Sequence, residues 1–286
     1  MADTQGSECE SHVLIFDVSY LIFYRIYATR AWYKHSQKEW DEGALAHDPD
    51  FDAVLRRKVR ECIEACVQRS AHRPIPIFCI DGKRSTHFRR QIYDAYKSNR
   101  GISDGYRQMF AAALDEVRRV HSGGQYGPRA LWLEHELLEA DDIAHYFASR
   151  MCSGEPAGDS GKRPSVTIVT SDHDYLPLLQ FDNVRIENAK GKPLTLPAHI
   201  ATASNALQTK IILGDTSDCI PPIAPRLGKK TAAALLDNGG ELLAKRLASN
   251  SEMRENYERN RRLVDNACLP AEQLAWLGEQ YEEAFQ

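Results

Sequence analysis

The chain has 286 residues, of which 43% are hydrophobic and 27% charged, with a net charge of −4. These proportions exclude a disordered or collagenous chain and bound it to one large domain, or a core with a smaller appendage. The slight acidity also excludes a nucleic-acid grip through bulk charge, so any such grip must come from a local patch.

In chain order, MADTQGSECE is polar and acidic and reads as a disordered lead rather than a signal peptide. HVLIF (12–16) predicts a strand ending at Asp17, and SYLIFYRIYATRAWY predicts a helix. The apolar run VLIFDVSYLIF carries Asp17 and is too short to span a bilayer. A polar stretch, 34–50, reads as a loop. Phe51, Val54, Leu55, Val59, Cys62, Ile63, Cys66 and Val67 fall at helical spacing. IPIFCI (75–80) predicts a second strand ending at Asp81, and strand–helix–strand order makes a parallel crossover. Residues 84–100 and 104–121 read as two helices, joined near Gly101–Asp104 and closed by GGQYGP at 123–128. Strand 130–133 leads to a helix starting near Glu139. A Gly/Ser/Pro-rich loop at 152–165 precedes strand 166–170, and VRIE (184–187) is the last strand. From 205 onward the pattern is helical: IILGDTSDCIPPI, PRLGKKTAAALL, a charged helix at 251–266 and another at 270–285.

Nine carboxylates gather where an open parallel sheet places its ligand crevice, at the carboxyl ends of strands. They are Asp17, Asp81, Glu139, Asp141, Asp142, Asp172, Asp174, Asp215 and Asp218. Each has an ordinary reading: acids favour helix N-termini, serve as N-caps and end strands. In GDTSDC the i,i+3 spacing of Asp215 and Asp218 suits one helical face. All of them together in this order point instead to a self-repelling cluster held by cations. Oxygen-only donors favour Mg²⁺ or Mn²⁺ over zinc.

The segment 83–100 places Lys83, Arg84, Arg89, Arg90, Lys97 and Arg100 against Asp94 alone. Read as a helix it presents these cations with Tyr93 and Tyr96 interleaved, fit for phosphate oxygens and an unpaired base. A solvated helix face is the plainer reading, but the run follows Asp81 directly and would stand over the acids. Seven cysteines, at 9, 62, 66, 79, 152, 219 and 268, form no paired metal spacing. Cys62 and Cys66 read as core packing, and the free thiols suggest a reducing, intracellular compartment.

These residues resemble the structure-specific 5′ nuclease family: flap endonucleases, bacterial polymerase 5′-nuclease domains and phage 5′-3′ exonucleases. They are nearest in pattern to the RNase H of T-even phages. The carriers are the Asp17-x-Ser19 start with its following Arg, Asp81 with the basic run to YKSNR, EADD, SDHD and GDTSD, over about residues 12–232. The resemblance implies a PIN-like or resolvase-like α/β core, a mainly parallel sheet with flanking helices, over residues 1–205 with a helical arch at about 82–125. A helix–three-turn–helix duplex-binding module and C-terminal helices would occupy 206–286. It implies one metal on Asp17, Asp81, Glu139 and Asp141, and a second served by Asp172, Asp174, Asp215 and Asp218, with Asp142 between them. Two cations would activate a water and stabilise the leaving oxygen. Lys97 and Arg100 would contact the scissile phosphate, Tyr96 would stack on the terminal base, and Gly228, Lys229, Lys230 and Thr231 would grip duplex backbone. Arg226 stands where the family's hairpin carries glycine, which disfavours a K⁺ site there, and Cys219 stands where Asn is common. The implied activity is Mg²⁺-dependent hydrolysis near 5′ ends of branched, nicked or RNA-primed DNA by a monomer without membrane partners. The tail EQYEEAFQ lacks the aromatic pair of a sliding-clamp peptide. Two alternatives remain: a PIN-type single-strand RNA nuclease, usually shorter, and a catalytically inactive structure-specific DNA-binding protein. A haloacid-dehalogenase-like phosphatase would need Asp where Ser19 stands.

Overall fold

The computed structural model describes residues 12–35, 42–70, 73–83, 86–153, 163–198 and 200–285. The N-terminal lead and Arg84 lie outside them. Five parallel strands form one sheet in the order β3-β2-β1-β4-β5: β1 His12–Asp17, β2 Ile75–Ile80, β3 Leu131–Glu134, β4 Ser165–Val169 and β5 Val184–Glu187. The chain winds outward from β1 through β2 to β3, then returns to the other side of β1 for β4. The switch point therefore lies between β1 and β4, with Asp17 at the end of one and Asp172 just past the other.

Strand side chains alternate between two cores, as the two-residue period requires. Val13, Ile15, Ile77 and Cys79 face α6 (Ala140–Ser153) and α11 (Ala271–Phe285), among Ile143, Phe147 and Leu277. Leu14, Phe16, Phe78 and Ile80 face α1 (Val18–His35), α3 (Pro49–Arg69) and α5 (Asp104–Ser122). Burial on both faces explains why β1 and β2 read as unbroken apolar runs. Helix α3 starts where the sequence stops it from starting earlier. The Asp48 side chain accepts from the N–H groups of Asp50 and Phe51, and Pro49 occupies the first turn. The polar stretch read as a loop contains a short helix, α2 (Glu42–Ala46), held down by Leu45 in the second core.

The first of the two helices read over 84–121 is corrected. Only α4 (Phe88–Ile92) is helical, and Tyr93 then turns to extended backbone at φ −151°. Lys97 takes a left-handed φ of 52°. The run folds as a turn because its cations and tyrosines are drawn inward to separate partners. Gly82 permits this entry: a Cβ there would meet the His135 carbonyl oxygen at 2.3 Å.

Helices α7 (Ala203–Leu213), α8 (Lys229–Leu236), α9 (Glu241–Ser249) and α10 (Ser251–Val264) share a small core of Ile212, Ile223, Leu235, Leu243 and Met253. Asn260 ties it together, donating to the carbonyls of Ile211 and Pro221 at 3.0 and 2.8 Å. Leu269 and Leu277, by contrast, belong to the first sheet core. We propose the division near residue 205 as a functional rather than a packing boundary. Among the described residues no helix is long and apolar enough to cross a membrane.

Candidate active site

An open cleft of about 1510 Å³ lies over the carboxyl ends of the strands. Asp17, Asp81, Glu139 and Asp141 line it from the β1, β2 and α6 ends, and Asp172, Asp174 and Asp215 from the other side. Lys83, Lys97, Arg100, Arg107, Lys210 and Lys229 supply its cations, and Phe23, Phe110 and Leu114 an apolar wall. Residues from distant stretches of sequence thus meet in one place.

Among the described residues, two groups of carboxylates are tight enough to hold a metal ion: Glu139, Asp141 and Asp142, and Asp174, Asp215 and Asp218, each with ligand atoms within 4.8 Å of one another. Asp17 sits between the strand ends, where Tyr20 N–H and Thr170 Oγ1 donate to it, each at 2.9 Å. Asp81 accepts from the Ala140 N–H at 2.8 Å, fastening β2 to the start of α6. Asp172 caps the 3₁₀ turn that carries Asp174, accepting its N–H at 3.0 Å.

The electrostatics are those of crowded acids. Burial, then Asp81 and Asp172, push Asp17 up from 3.8 to about 7 against its two hydrogen bonds. Burial, then Asp142 and Glu139, push Asp141 well above the usual range. Burial and Asp174 raise Asp172. Glu139 goes the other way: despite burial, Lys97, His87 and Arg89 hold it well below the carboxylate range. Burial works against Asp215 too, but Lys210 and Ser217 bring it down to about 2.

A raised folded-state pKa stabilises the fold below the unfolded value and loses that stabilisation as pH rises through the folded one. Asp17, with Asp141 and Asp172 in the same direction, should therefore make chelator-treated protein lose stability as pH rises from about 4 to about 7. A thermal melt series checks this, and divalent cations should flatten it. A melting temperature that climbs across that window would show that these acids do not repel one another.

Asp142 is corrected from a place between two metals. It is fully buried, outside the cleft lining, and part of the first group only. Arg89 grips both of its oxygens at 2.7 and 2.6 Å, the Glu139 N–H donates at 3.0 Å, and Asn266 donates at 3.1 Å. Arg89 in turn is 2% exposed and donates from Nε to the Leu263 carbonyl at 2.8 Å. It is an internal tie between α6 and the end of α10 and cannot contact nucleic acid. Arg89→Met should destabilise the protein by about 3–5 kcal/mol, because Asp142 is left buried without its counter-charge. Urea denaturation measures this, and a loss under about 1 kcal/mol would show that the tie carries little.

Tyr96 is likewise corrected: it is 3% exposed, and its hydroxyl donates to Glu139 at 2.5 Å, so it offers no free ring face. Arg90 is half-buried with its Nε turned inward and without a hydrogen-bond partner. Lys97 does reach the cleft, bonded to Glu139 and 3.8 Å from Asp218, and its own N–H donates to the Asp218 carbonyl. Arg100 pairs with Asp218. Asp215 and Asp218 are brought together by a 3₁₀ turn rather than an α-helix. Gly214 ends α7 at φ 68°, and a 3₁₀ turn over Thr216–Asp218 follows, buried at Asp218. Cys219 after it is left-handed at φ 61°, a conformation in which Asn is the commoner side chain.

Sequence reasoning missed Lys210. Its ammonium bonds Asp174 and lies 2.9 Å from Asp215, inside the second group. Nothing local in QTKIIL signals this, because both partners are reached through the fold. Lys229 and Lys230 are exposed at the start of α8, Gly228 caps it, and Thr231 is half-buried. Arg226 adopts a left-handed φ of 60° without being glycine, and its side chain is exposed.

Residues 12–205 match the family model of the 5′-3′ exonuclease N-terminal resolvase-like domain. DNA polymerase I of Rhizobium leguminosarum is 30% identical over 159 residues, which are 54% of this chain and 14% of that protein. The chain thus corresponds to only a small part of that relative. A bacteriophage T5 protein co-crystallised with metal ions superposes with a TM-score of 0.65 at 16% identity, covering 96% of this chain and 100% of the other. The bacteriophage T5 flap endonuclease, in a pseudo-enzyme–product complex with DNA and metal ions, gives 0.64 at 17% identity, covering 96% and 98%.

Proposed function

Because the chain belongs to the 5′-3′ exonuclease family defined by that N-terminal resolvase-like domain, we propose that it hydrolyses phosphodiester bonds near the 5′ ends of branched, nicked or RNA-primed DNA. The observation that carries this reading is the convergence of carboxylates and basic side chains from distant stretches of sequence on one cleft at the sheet's switch point.

The donor set fits divalent cations. The ligands are oxygens alone, several of these acids are pushed toward protonation by one another, and protein ammonium groups stand against the rest. Asp17, Asp81, Glu139 and Asp141 are suited to hold one Mg²⁺ or Mn²⁺, and Asp174, Asp215 and Asp218, with Asp172, the other. Asp142 supports Glu139 from behind. Bound cations supply a water of lowered pKa and charge relief on the leaving oxygen.

The chain's own residues do the rest. Lys97 and Arg100 reach the cleft from the turn after α4 and neutralise charge growing on the phosphoryl oxygens. Lys229, which also lines the edge of the cleft, and Lys230, with the open N–H groups of α8, hold duplex backbone. Lys83 extends the positive rim. Free thiols at Cys62, Cys66, Cys79, Cys152, Cys219 and Cys268 accord with an intracellular setting.

The test is incubation of the purified protein with 5′-labelled flap, nicked and RNA–DNA duplex substrates in Mg²⁺. Short 5′ products from any of these support the reading and rank the substrates. Cleavage confined to internal sites of single-stranded RNA would favour a PIN-type nuclease instead. Tight binding of branched DNA with no cleavage would favour an inactive DNA-binding protein.

A further inference from the structure

We propose that a second, cation-lined pocket on the far flank of α1 binds a backbone phosphate of the nucleic-acid substrate, outside the acidic cleft. This rests on the nuclease reading and adds a contact that reading does not contain. The pocket encloses about 410 Å³ and is lined by Tyr24, Arg25, Lys58, Cys62, Arg69 and Lys190, from α1, α3 and the loop after β5. Glu61 is the one acid among its lining residues, and it is already engaged by Lys58 at 2.7 Å and Arg57 at 3.7 Å. Positive charge therefore remains in excess in a protein whose overall charge is −4.

The cations are held in place rather than waving in solvent. Arg25 lies over the Tyr24 ring at 5.3 Å, and its Nε is buried with no hydrogen-bond acceptor. Arg69 is fixed by the Ala189 carbonyl at 3.1 Å and lies 3.6 Å from Glu187. A guanidinium with an unmet buried N–H beside the Lys190 ammonium is matched by the oxygens of a phosphate. The pocket is also tied to the cleft. Tyr20 stacks on Tyr24 at 6.1 Å, and its hydroxyl accepts from the Ala189 N–H at 3.1 Å and from Ser171 Oγ at 3.0 Å, next to Asp172. Arg25 is eight residues beyond Asp17, a rise of about 12 Å along a helix. A strand of duplex advances about 3.4 Å per phosphate, so nucleic acid bound at the cleft presents phosphates within that distance.

The shared chemistry, a phosphate group, has two sources, and the experiment separates them. Full-length protein, Arg25→Met and Lys190→Ala are titrated with flap DNA in Ca²⁺ at several salt concentrations. Each variant should bind several-fold more weakly, with the log K against log salt slope flattened by about 0.9 per lost contact. Single-turnover cleavage in Mg²⁺ at saturating enzyme should be unchanged, since neither residue touches the reacting bond. In parallel, alkylation of Cys62, which lines the pocket, is followed by peptide mass spectrometry and should be slowed by flap DNA. Slowing by inorganic phosphate alone, with unchanged DNA slopes, would assign the pocket to a free anion and overturn the backbone contact. No protection by either and no change in slope would overturn the pocket entirely. Wild-type protein that cleaves normally while the variants bind normally sinks only this inference. Wild-type protein that neither binds nor cleaves DNA sinks the nuclease reading, and protection of Cys62 by phosphate then still reports on the pocket.

Discussion

Asp81→Asn is expected to lower single-turnover cleavage of a 5′ flap by at least about 10²–10³-fold while leaving the metal-free protein as stable as before, or slightly more stable. Asparagine keeps an oxygen for the Ala140 N–H, so the fastening between β2 and α6 survives. What disappears is a negative charge that pushes Asp17 upward, second only to burial. Asp172→Ala should act in the same direction on rate, with a small stability cost for the lost cap on Asp174. Rapid-quench kinetics and thermal melts in chelator measure both effects. A melting temperature that drops sharply in Asp81→Asn, with cleavage nearly intact, would make Asp81 a structural acid.

The two basic regions should separate. Lys97→Ala should reduce single-turnover cleavage by about 10²-fold or more while changing flap affinity only a few-fold, because a contact made in the transition state affects rate rather than ground-state binding. Lys97 is nearly buried against Glu139, so some loss of metal-free stability is expected with it. Lys97→Arg, which keeps the charge, should recover stability better than rate. Lys229→Ala with Lys230→Ala should do the reverse: weaker duplex binding, a salt slope flattened by up to about 1.8, and chemistry nearly intact at saturating enzyme. Both lysines are exposed and unburdened by the fold. If Lys97→Ala weakened binding in proportion to rate, Lys97 would be a holding contact and its catalytic role would fall.

The sheet was legible because parallel strands buried on both faces leave apolar runs, and each of the first two ends in an acid that marks the strand's carboxyl end. Position after a strand thus located Asp17, Asp81 and Asp172 without any knowledge of pairing. The segment 88–100 was not legible. Arg89 and Tyr96 look like an exposed face, and only Asp142, Glu139 and the Leu263 carbonyl, far away in sequence, draw them inside. Asp142 was misplaced for the same reason, since its neighbours in EADD do face the cleft. Lys210 carries no local mark at all, because its partners Asp174 and Asp215 meet it only when α7 packs across the 3₁₀ turn after β4. Local pattern reports which residues stand at an edge. Which of them are spent on one another is decided by tertiary contacts.

This acid cleft is expected to work only with hard divalent cations bound to it. The most direct test is rapid-quench cleavage of one 5′-labelled flap substrate in Mg²⁺, Mn²⁺, Ca²⁺ and excess EDTA, with binding measured in each. Cleavage in Mg²⁺ and Mn²⁺, binding without cleavage in Ca²⁺, and no cleavage in EDTA are expected. Undiminished cleavage in excess EDTA would contradict the account.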